Sequence, residues 1–183
     1  MGHAAGFATA IRSWDTAPGT LRSAVDLGSG GGVPGLVLAL DFVAVHWVLV
    51  DAARRRVAFL RTAVTELGLA LRVAVIEARA EEFGRRAEHR GQHQLVVARG
   101  FGPAAVTAEC AAPLLQVGGR AVVSEPPGGA GWRWPQPGLH MVGMAAASAV
   151  TAEGASYQVL AQEHRCPDRY PRRTGVPSKR PLF

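Results

Sequence analysis

Residues 23–36, SAVDLGSGGGVPGL, hold five glycines within the eight positions from Gly28 to Gly35. Glycine loses the most conformational freedom on folding. Such density therefore marks a backbone that turns tightly or lies against a ligand. Two ligand chemistries suit this stretch. Gly30, Gly32 and Gly35 satisfy G-x-G-x-x-G with Asp51 about 20 residues further on, the dinucleotide pattern. Asp26, Leu27, Gly28, Gly30 and Gly32 instead make an acidic residue, one position, then G-x-G-x-G. That order suits S-adenosyl-L-methionine. Asp26 favours the second ligand. Beside a pyrophosphate its carboxylate would meet like charge, whereas beside an ammonium and a sulfonium it is complementary. Asp51 serves either ligand by accepting hydrogen bonds from ribose hydroxyls. A tight turn with no ligand is the third reading.

The surrounding elements must position this loop. Ser23–Leu27 reads as a short strand. Pro34 can open a helix, where its missing N–H costs nothing, and that helix is expected to run to about residue 40. Val43–Val50 is a near-continuous apolar run, as in a strand buried on both faces. Arg54–Leu69 has helical spacing, with Gly68 near its end. The alternation repeats with a strand at 72–76, a short helix at 81–88, a strand at 94–98, a helix at 104–115 and a strand at 120–124. Such alternation predicts a Rossmann-like α/β fold, a mostly parallel sheet with helices on both faces. Residues 126–138, rich in Pro, Gly and Trp, read as a loop. Segments 139–144 and 157–163 read as an antiparallel C-terminal strand pair. Residues 1–22 read as a short leader with about one helical turn. The expected organisation is leader 1–22, cofactor-binding domain 23–164 and basic Pro/Arg-rich tail 165–183.

Composition narrows the function classes. A chain of 183 residues, 48% hydrophobic, suits one full-sized core. No apolar run reaches the ~20 residues needed to cross a bilayer, and the N-terminus is a poor signal peptide. The expectation is a soluble cytoplasmic protein with no membrane partner. Cys110 and Cys166 are isolated and form no zinc pattern or disulfide framework. The six histidines show no metal spacing, so no metal is expected. Net charge is +6. Residues 165–183 hold six basic side chains against Asp168 alone, a net +5, so the other 164 residues carry only +1.

The stretches VDLGSGGGVPGLVLAL, LVDAARRRVAFLRTAVTELGL and EARAEEF resemble the glucose-inhibited division protein B family. So does the tail RYPRRTGVPSKRPLF. The resemblance covers about residues 23–124 and 165–183. The glycine loop is shared by many methyltransferases; GVPG, RRRVAFL, RAEEF and the tail together are more specific. The resemblance implies a class I methyltransferase that uses S-adenosyl-L-methionine on guanine N7 of small-subunit ribosomal RNA. It places cofactor contacts on Gly28 and Val33, sets Ala80 and Glu81 beside the adenine, and faces Arg99 toward cofactor and substrate. Three departures mark a diverged member: a shortened N-terminal segment, Ala98-Arg99-Gly100 where Ser-Arg-Ala is usual, and Glu125-Pro126 where Lys-Gly is common.

Guanine N7 already carries a free lone pair, so its methylation needs alignment rather than a general base. The absence of a His/Asp dyad fits such a substrate. Arg99 is the candidate catalytic residue, holding the base or a phosphate; its bland alternative is a surface ion pair. Glu81 has an alternative as a helix-start carboxylate. Arg54, Arg55 and Arg56 read as a solvated helix face before a phosphate site. In the tail, Arg169, Arg172, Arg173, Lys179 and Arg180 are candidate contacts to ribosomal RNA or the small ribosomal subunit. Tyr170 is a candidate for base stacking. The alternative for the tail is packing across the sheet edge. Two other function classes stay open: a small-molecule methyltransferase on the same core, and a non-catalytic RNA- or partner-binding relative.

Overall fold

The computed structural model describes residues 2–14, 20–127 and 131–183, without the side chains of residues 2, 3 and 131. Parts of the expected leader (residues 1 and 15–19) and of the expected loop (128–130) lie outside the described residues. Seven strands form one sheet: β1 (Ser23–Leu27), β2 (His46–Asp51), β3 (Val73–Glu77), β4 (His93–Ala98), β5 (Leu115–Ser124), β6 (Met144–Ala152) and β7 (Ala155–Gln162). Their order is β3-β2-β1-β4-β5-β7-β6. The first five are parallel, and β7 and β6 run antiparallel at one edge. The chain leaves β1 toward β3, then returns to the other side of β1 with β4. The carboxyl ends of β1 and β4 therefore flank a topological switch point, where open parallel sheets bind ligands.

The helices are α1 (Gly2–Arg12), α2 (Gly35–Asp41), α3 (Arg54–Glu66), α4 (Ala80–Phe83), α5 (Ala104–Ala111), α6 (Gln136–His140) and α7 (Val176–Lys179). Two apolar clusters lie on the faces of the sheet. One gathers Leu27, Val96, Phe83, Leu114 and Leu139; the other gathers Phe7, Ile11, Trp47, Leu60 and Val122.

The differences from expectation have local causes. The leader carries a full helix, α1, rather than one turn. Ala4, Phe7, Ala8 and Ile11 fall at i, i+3, i+4 and i+7 and are all buried. Alanine and glycine between them hide the period. Gly6 lets α1 approach β7, since a Cβ there would meet the Tyr157 hydroxyl, and Phe7 packs edge-on to the Tyr157 ring at 4.8 Å.

Helix α4 stops at Phe83, with Gly84 as its C-cap, well short of residue 88. Helix α5 gives way to a tight 3₁₀ turn at Ala112–Leu114, because Pro113 cannot donate to a continuing helix. Residues 139–144 do not form a strand. Leu139 lies in the last turn of α6, Val142 is buried in a turn, and Gly143, at φ +79°, reverses the chain into β6. β6 and β7 then join through Glu153-Gly154, both at positive φ, the conformation a tight two-residue hairpin needs.

Candidate active site

The glycine loop runs from the end of β1 into α2. Gly28 and Ser29 donate their N–H groups to the Val50 carbonyl, at 2.9 and 3.0 Å. Asp51, at the end of β2, holds the loop from the other side. Its Oδ2 accepts from the Gly30 N–H at 2.9 Å, and its Oδ1 accepts from the Ala53 N–H at 2.8 Å. The Arg56 guanidinium lies 3.6 Å from the same carboxylate. Asp51 is thus nearly buried yet keeps lone pairs toward the cavity it lines.

Asp26 sits beneath the loop, fully buried. Its Oδ2 accepts from the Gly35 N–H at 2.9 Å, and its Oδ1 has no hydrogen-bond partner. Burial pushes its carboxyl up to about 7, with a smaller push from the Asp51 charge; the Gly35 hydrogen bond, then Ser29 and the Arg99 charge, pull the other way. A Cβ on Gly35 would collide with the Asp26 carboxylate and with Leu49. Gly35 is therefore a packing glycine. Its N–H is given to the Asp26 carboxylate. An unpartnered buried acidic oxygen beside the loop fits a cationic ligand.

Two cavities adjoin here. The first, about 290 Å³, is lined by Gly28, Asp51, Ala52 and Arg56, by Ala78 to Glu81, and by Gly100 to Pro103, with Cys110 and Ser178. The second, about 520 Å³, is lined by Arg99 to Gly102, Ser124, Glu125, Pro126, Arg133 and Trp134. Gly100, Phe101 and Gly102 belong to both. Gly28, at φ +70°, must be glycine for a second reason: a Cβ there would stand 2.8 Å from the Phe101 ring.

Of the residues expected from sequence, Gly28, Asp51, Ala80 and Glu81 line the first cavity and Arg99 lines the second. Gly30 reaches the first through Asp51, Asp26 underlies the loop, and half-buried Val33 lines neither. Arg99 is exposed and makes no hydrogen bond or ion pair among the described residues.

Sequence reasoning missed Phe101, Arg79, Cys110 and Ser178. Only the glycines around Phe101 in ARGFGP could have flagged it. The Cys110 thiol is pushed upward by burial, so it stays neutral. No group of three His, Cys, Asp or Glu side chains among the described residues could hold a metal.

Glu125 does not present bare negative charge to the second cavity. Its carboxylate is almost buried and accepts from Arg133 and from the Trp134 indole N–H. Trp132, in contrast, is 79% exposed.

The tail does not cross the sheet edge. It packs on α4 and α5, held by two arginines. Arg90 donates to the carbonyls of Tyr170, Cys166 and Pro167 at 2.7 to 3.0 Å. Arg172 embraces the fully buried Glu109 carboxylate, Nε to Oε1 at 2.8 Å and Nη2 to Oε2 at 2.6 Å. Arg172 is thereby committed inside the molecule, and the phosphate role expected for it is corrected. Tyr170 is corrected likewise: its ring is buried, with the Arg169 guanidinium 4.9 Å above it, so no base can stack there. Arg169, Arg173, Lys179 and Arg180 are exposed.

The family model described as rRNA small subunit methyltransferase G (GidB) matches residues 8–125. The chain is 33% identical to "Ribosomal RNA small subunit methyltransferase G" of Synechococcus elongatus over 171 residues, 86% of this chain and 68% of that protein. This chain belongs to the GidB family. The protein of the same name from Deinococcus radiodurans is 37% identical over 87% of this chain and 65% of its own length. The chain thus spans about two thirds of the length of these GidB relatives. Among solved structures, an RNA methyltransferase from Salinibacter ruber in complex with S-adenosyl-L-homocysteine superposes with a TM-score of 0.61 at 18% identity, covering 88% of this chain and 93% of that one. A putative sarcosine dimethylglycine methyltransferase from Galdieria sulphuraria gives 0.67 at 10% identity, over 86% and 84%. At those identities the likeness is one of fold, and it is the class I methyltransferase fold.

Proposed function

We propose that this GidB protein transfers a methyl group from S-adenosyl-L-methionine to guanine N7 of small-subunit ribosomal RNA. One observation carries the reading. Two adjoining cavities open at the switch point of the sheet and share Gly100 to Gly102. One is lined by the glycine loop and Asp51, the other by an unpaired arginine. A methyl donor and an acceptor base need such end-to-end placement.

In this reading the bound cofactor supplies an electrophilic methyl group on a sulfonium. Asp51 accepts hydrogen bonds from its ribose hydroxyls. Gly28 and Gly30 bring backbone against it, Val33 joins from the same loop, and Ala80 and Glu81 flank the adenine. Asp26 underlies the loop and holds it through the Gly35 N–H. Arg99 holds the base or its phosphate in line, with the N7 lone pair toward the first cavity. Bound there, the cofactor would supply its methyl carbon to the N7 lone pair and leave as the thioether, so no side chain of this protein would need to take a proton. Alignment of this kind can supply several kcal/mol of barrier lowering.

Residues 23–164 carry this core. The exposed tail cations Arg169, Arg173, Lys179 and Arg180 meet phosphates of ribosomal RNA or of the small ribosomal subunit. The cytoplasm is the compartment that holds that substrate. No helix among the described residues is long and apolar enough to cross a membrane.

Calorimetric titration with S-adenosyl-L-methionine and with NAD, followed by transfer of labelled methyl to small-subunit rRNA, tests the reading. Binding of the first ligand alone, with label mapped to a guanine N7, is the expected result. Absence of S-adenosyl-L-methionine binding would refute it. Binding without transfer to RNA or subunits would point to a small-molecule acceptor.

A further inference from the structure

The tail reaches the first cavity at one residue. Ser178, on α7, lines it alongside Arg79, Ala80 and Glu81. The backbone N–H of Gly175 donates to Glu81 Oε1 at 2.9 Å, and the Thr174 hydroxyl donates to Glu82 Oε1 at 3.2 Å. Gly175 adopts φ +79°, a left-handed conformation that side-chain-bearing residues resist. The same segment is pinned from behind by Arg172. Its guanidinium makes the two-pronged contact with Glu109, its backbone N–H donates to Glu109 Oε1 at 2.8 Å, and Nη2 donates to the Arg180 carbonyl at 2.7 Å. The last of these contacts lies beyond Ser178, so Arg172 fixes α7 from both sides.

We infer that residues 172–178 form a fixed wall of the cofactor site, that Ser178 is a further cofactor-binding residue, and that the Arg172–Glu109 pair positions it. The inference rests on the reading that the first cavity binds S-adenosyl-L-methionine. On that reading the ligand portion beside Ala80 and Glu81 is the adenosine. Ser178 approaches it with a hydroxyl that can both donate and accept. Arg172 touches no ligand; it is a positioning residue. The wall covers the nucleoside and leaves the amino-acid end to the glycine loop.

Trypsin reads the wall directly, because Arg173 stands within it and Lys179 directly follows Ser178, whereas Arg12, on α1, stands apart. The expected result is that saturating S-adenosyl-L-homocysteine slows cleavage after Arg173 and Lys179 at least fivefold more than after Arg12. 5′-Methylthioadenosine should do the same and homocysteine should not. Ser178→Ala should weaken S-adenosyl-L-homocysteine binding about fivefold with unchanged melting temperature, and Ser178→Thr should restore it. Arg172→Ala should abolish the ligand-dependent protection after Lys179 and should weaken S-adenosyl-L-homocysteine binding no further when combined with Ser178→Ala, a non-additivity that mere structural support would not give, and Arg172→Lys should recover part of the protection. Wild-type binding with equal cleavage in the presence and absence of ligand, and an unaltered affinity in Ser178→Ala, would overturn the wall alone. Failure of the wild type to bind S-adenosyl-L-homocysteine would overturn the cofactor reading and the wall with it.

Discussion

Asp26 and Asp51 end adjacent parallel strands, yet their surroundings give them different work. Asp51 bridges Gly30 and Ala53 and keeps lone pairs for a ligand. Asp51→Ala releases both N–H groups and loosens the loop. Affinity for S-adenosyl-L-homocysteine should fall at least about tenfold, or roughly 1.4 kcal/mol, by calorimetry. Asp26 is buried with one oxygen unpartnered and its carboxyl raised to about 7 from 3.8. Between those values the folded protein holds a proton that the unfolded chain has released. Stability therefore falls as pH rises from about 4 through about 7, and the cost persists above it. In melts of the ligand-free protein, Asp26→Asn should gain on the wild type as pH is raised from 5 to 8.

His93 works in the opposite sense. Burial, with the His89 ring nearby, lowers it to about 4 from 6.5. The folded state then holds fewer protons than the unfolded chain, and stability is lost as pH falls from about 6.5 toward 4. His93→Gln should flatten the acid limb of the same melts.

At the scale of elements, α5 shows why the tail is required. Each of its eight residues is buried, including Thr107 and Glu109. A helix apolar on nearly every side needs cover on every side. The apolar cluster on one sheet face takes in its apolar side chains, α6 and α7 lie against it, and the tail covers the Glu109 face through Arg172. The sequence marks this weakly, because Glu109 reads as a surface residue until Arg172 arrives from 63 positions away.

Helix α1 offers a separable test. It lines neither cavity, and Phe7 is completely buried against Tyr157. Phe7→Ala should cost about 3–5 kcal/mol in denaturant unfolding, the usual range for emptying such a site. Affinity for S-adenosyl-L-homocysteine should stay unchanged under native conditions.

For the whole molecule, charge is concentrated in the tail. Residues 165–183 carry +5 of the net +6. With Arg172 committed to Glu109, four exposed cations remain in the tail downstream of Asp168. Neutralising Arg169, Arg173, Lys179 or Arg180 singly should reduce the logarithmic salt dependence of RNA binding by about 1 per phosphate contact removed, measured by titration at several salt concentrations. Affinity should fall similarly for different RNA sequences, since phosphate contacts carry no sequence information.

The sequence by itself determined the class of fold and the centre of the site. Strand and helix periods recur from Ser23 to Ser124, the glycine spacing is local, and Asp26 and Asp51 stand at strand ends where apolar runs stop. Each of these signals is carried by residues close in the chain. The C-terminal strands were only half legible: alanine-rich β6 has little hydrophobic alternation, and its start depends on the reversal at Gly143. Tertiary structure alone decided what each polar group faces. Gly35 proved to be a packing glycine because Asp26, nine residues away, fills the space above it. Glu125 was neutralised by Arg133. The tail, which reads as RNA contacts or as packing across the sheet edge, is docked on α4 and α5, because Arg90 and Glu109 reach it from 63 to 80 positions away. Sequence spacing cannot show such pairings, since burial decides whether a charge is solvated or paired, and burial belongs to the assembled fold.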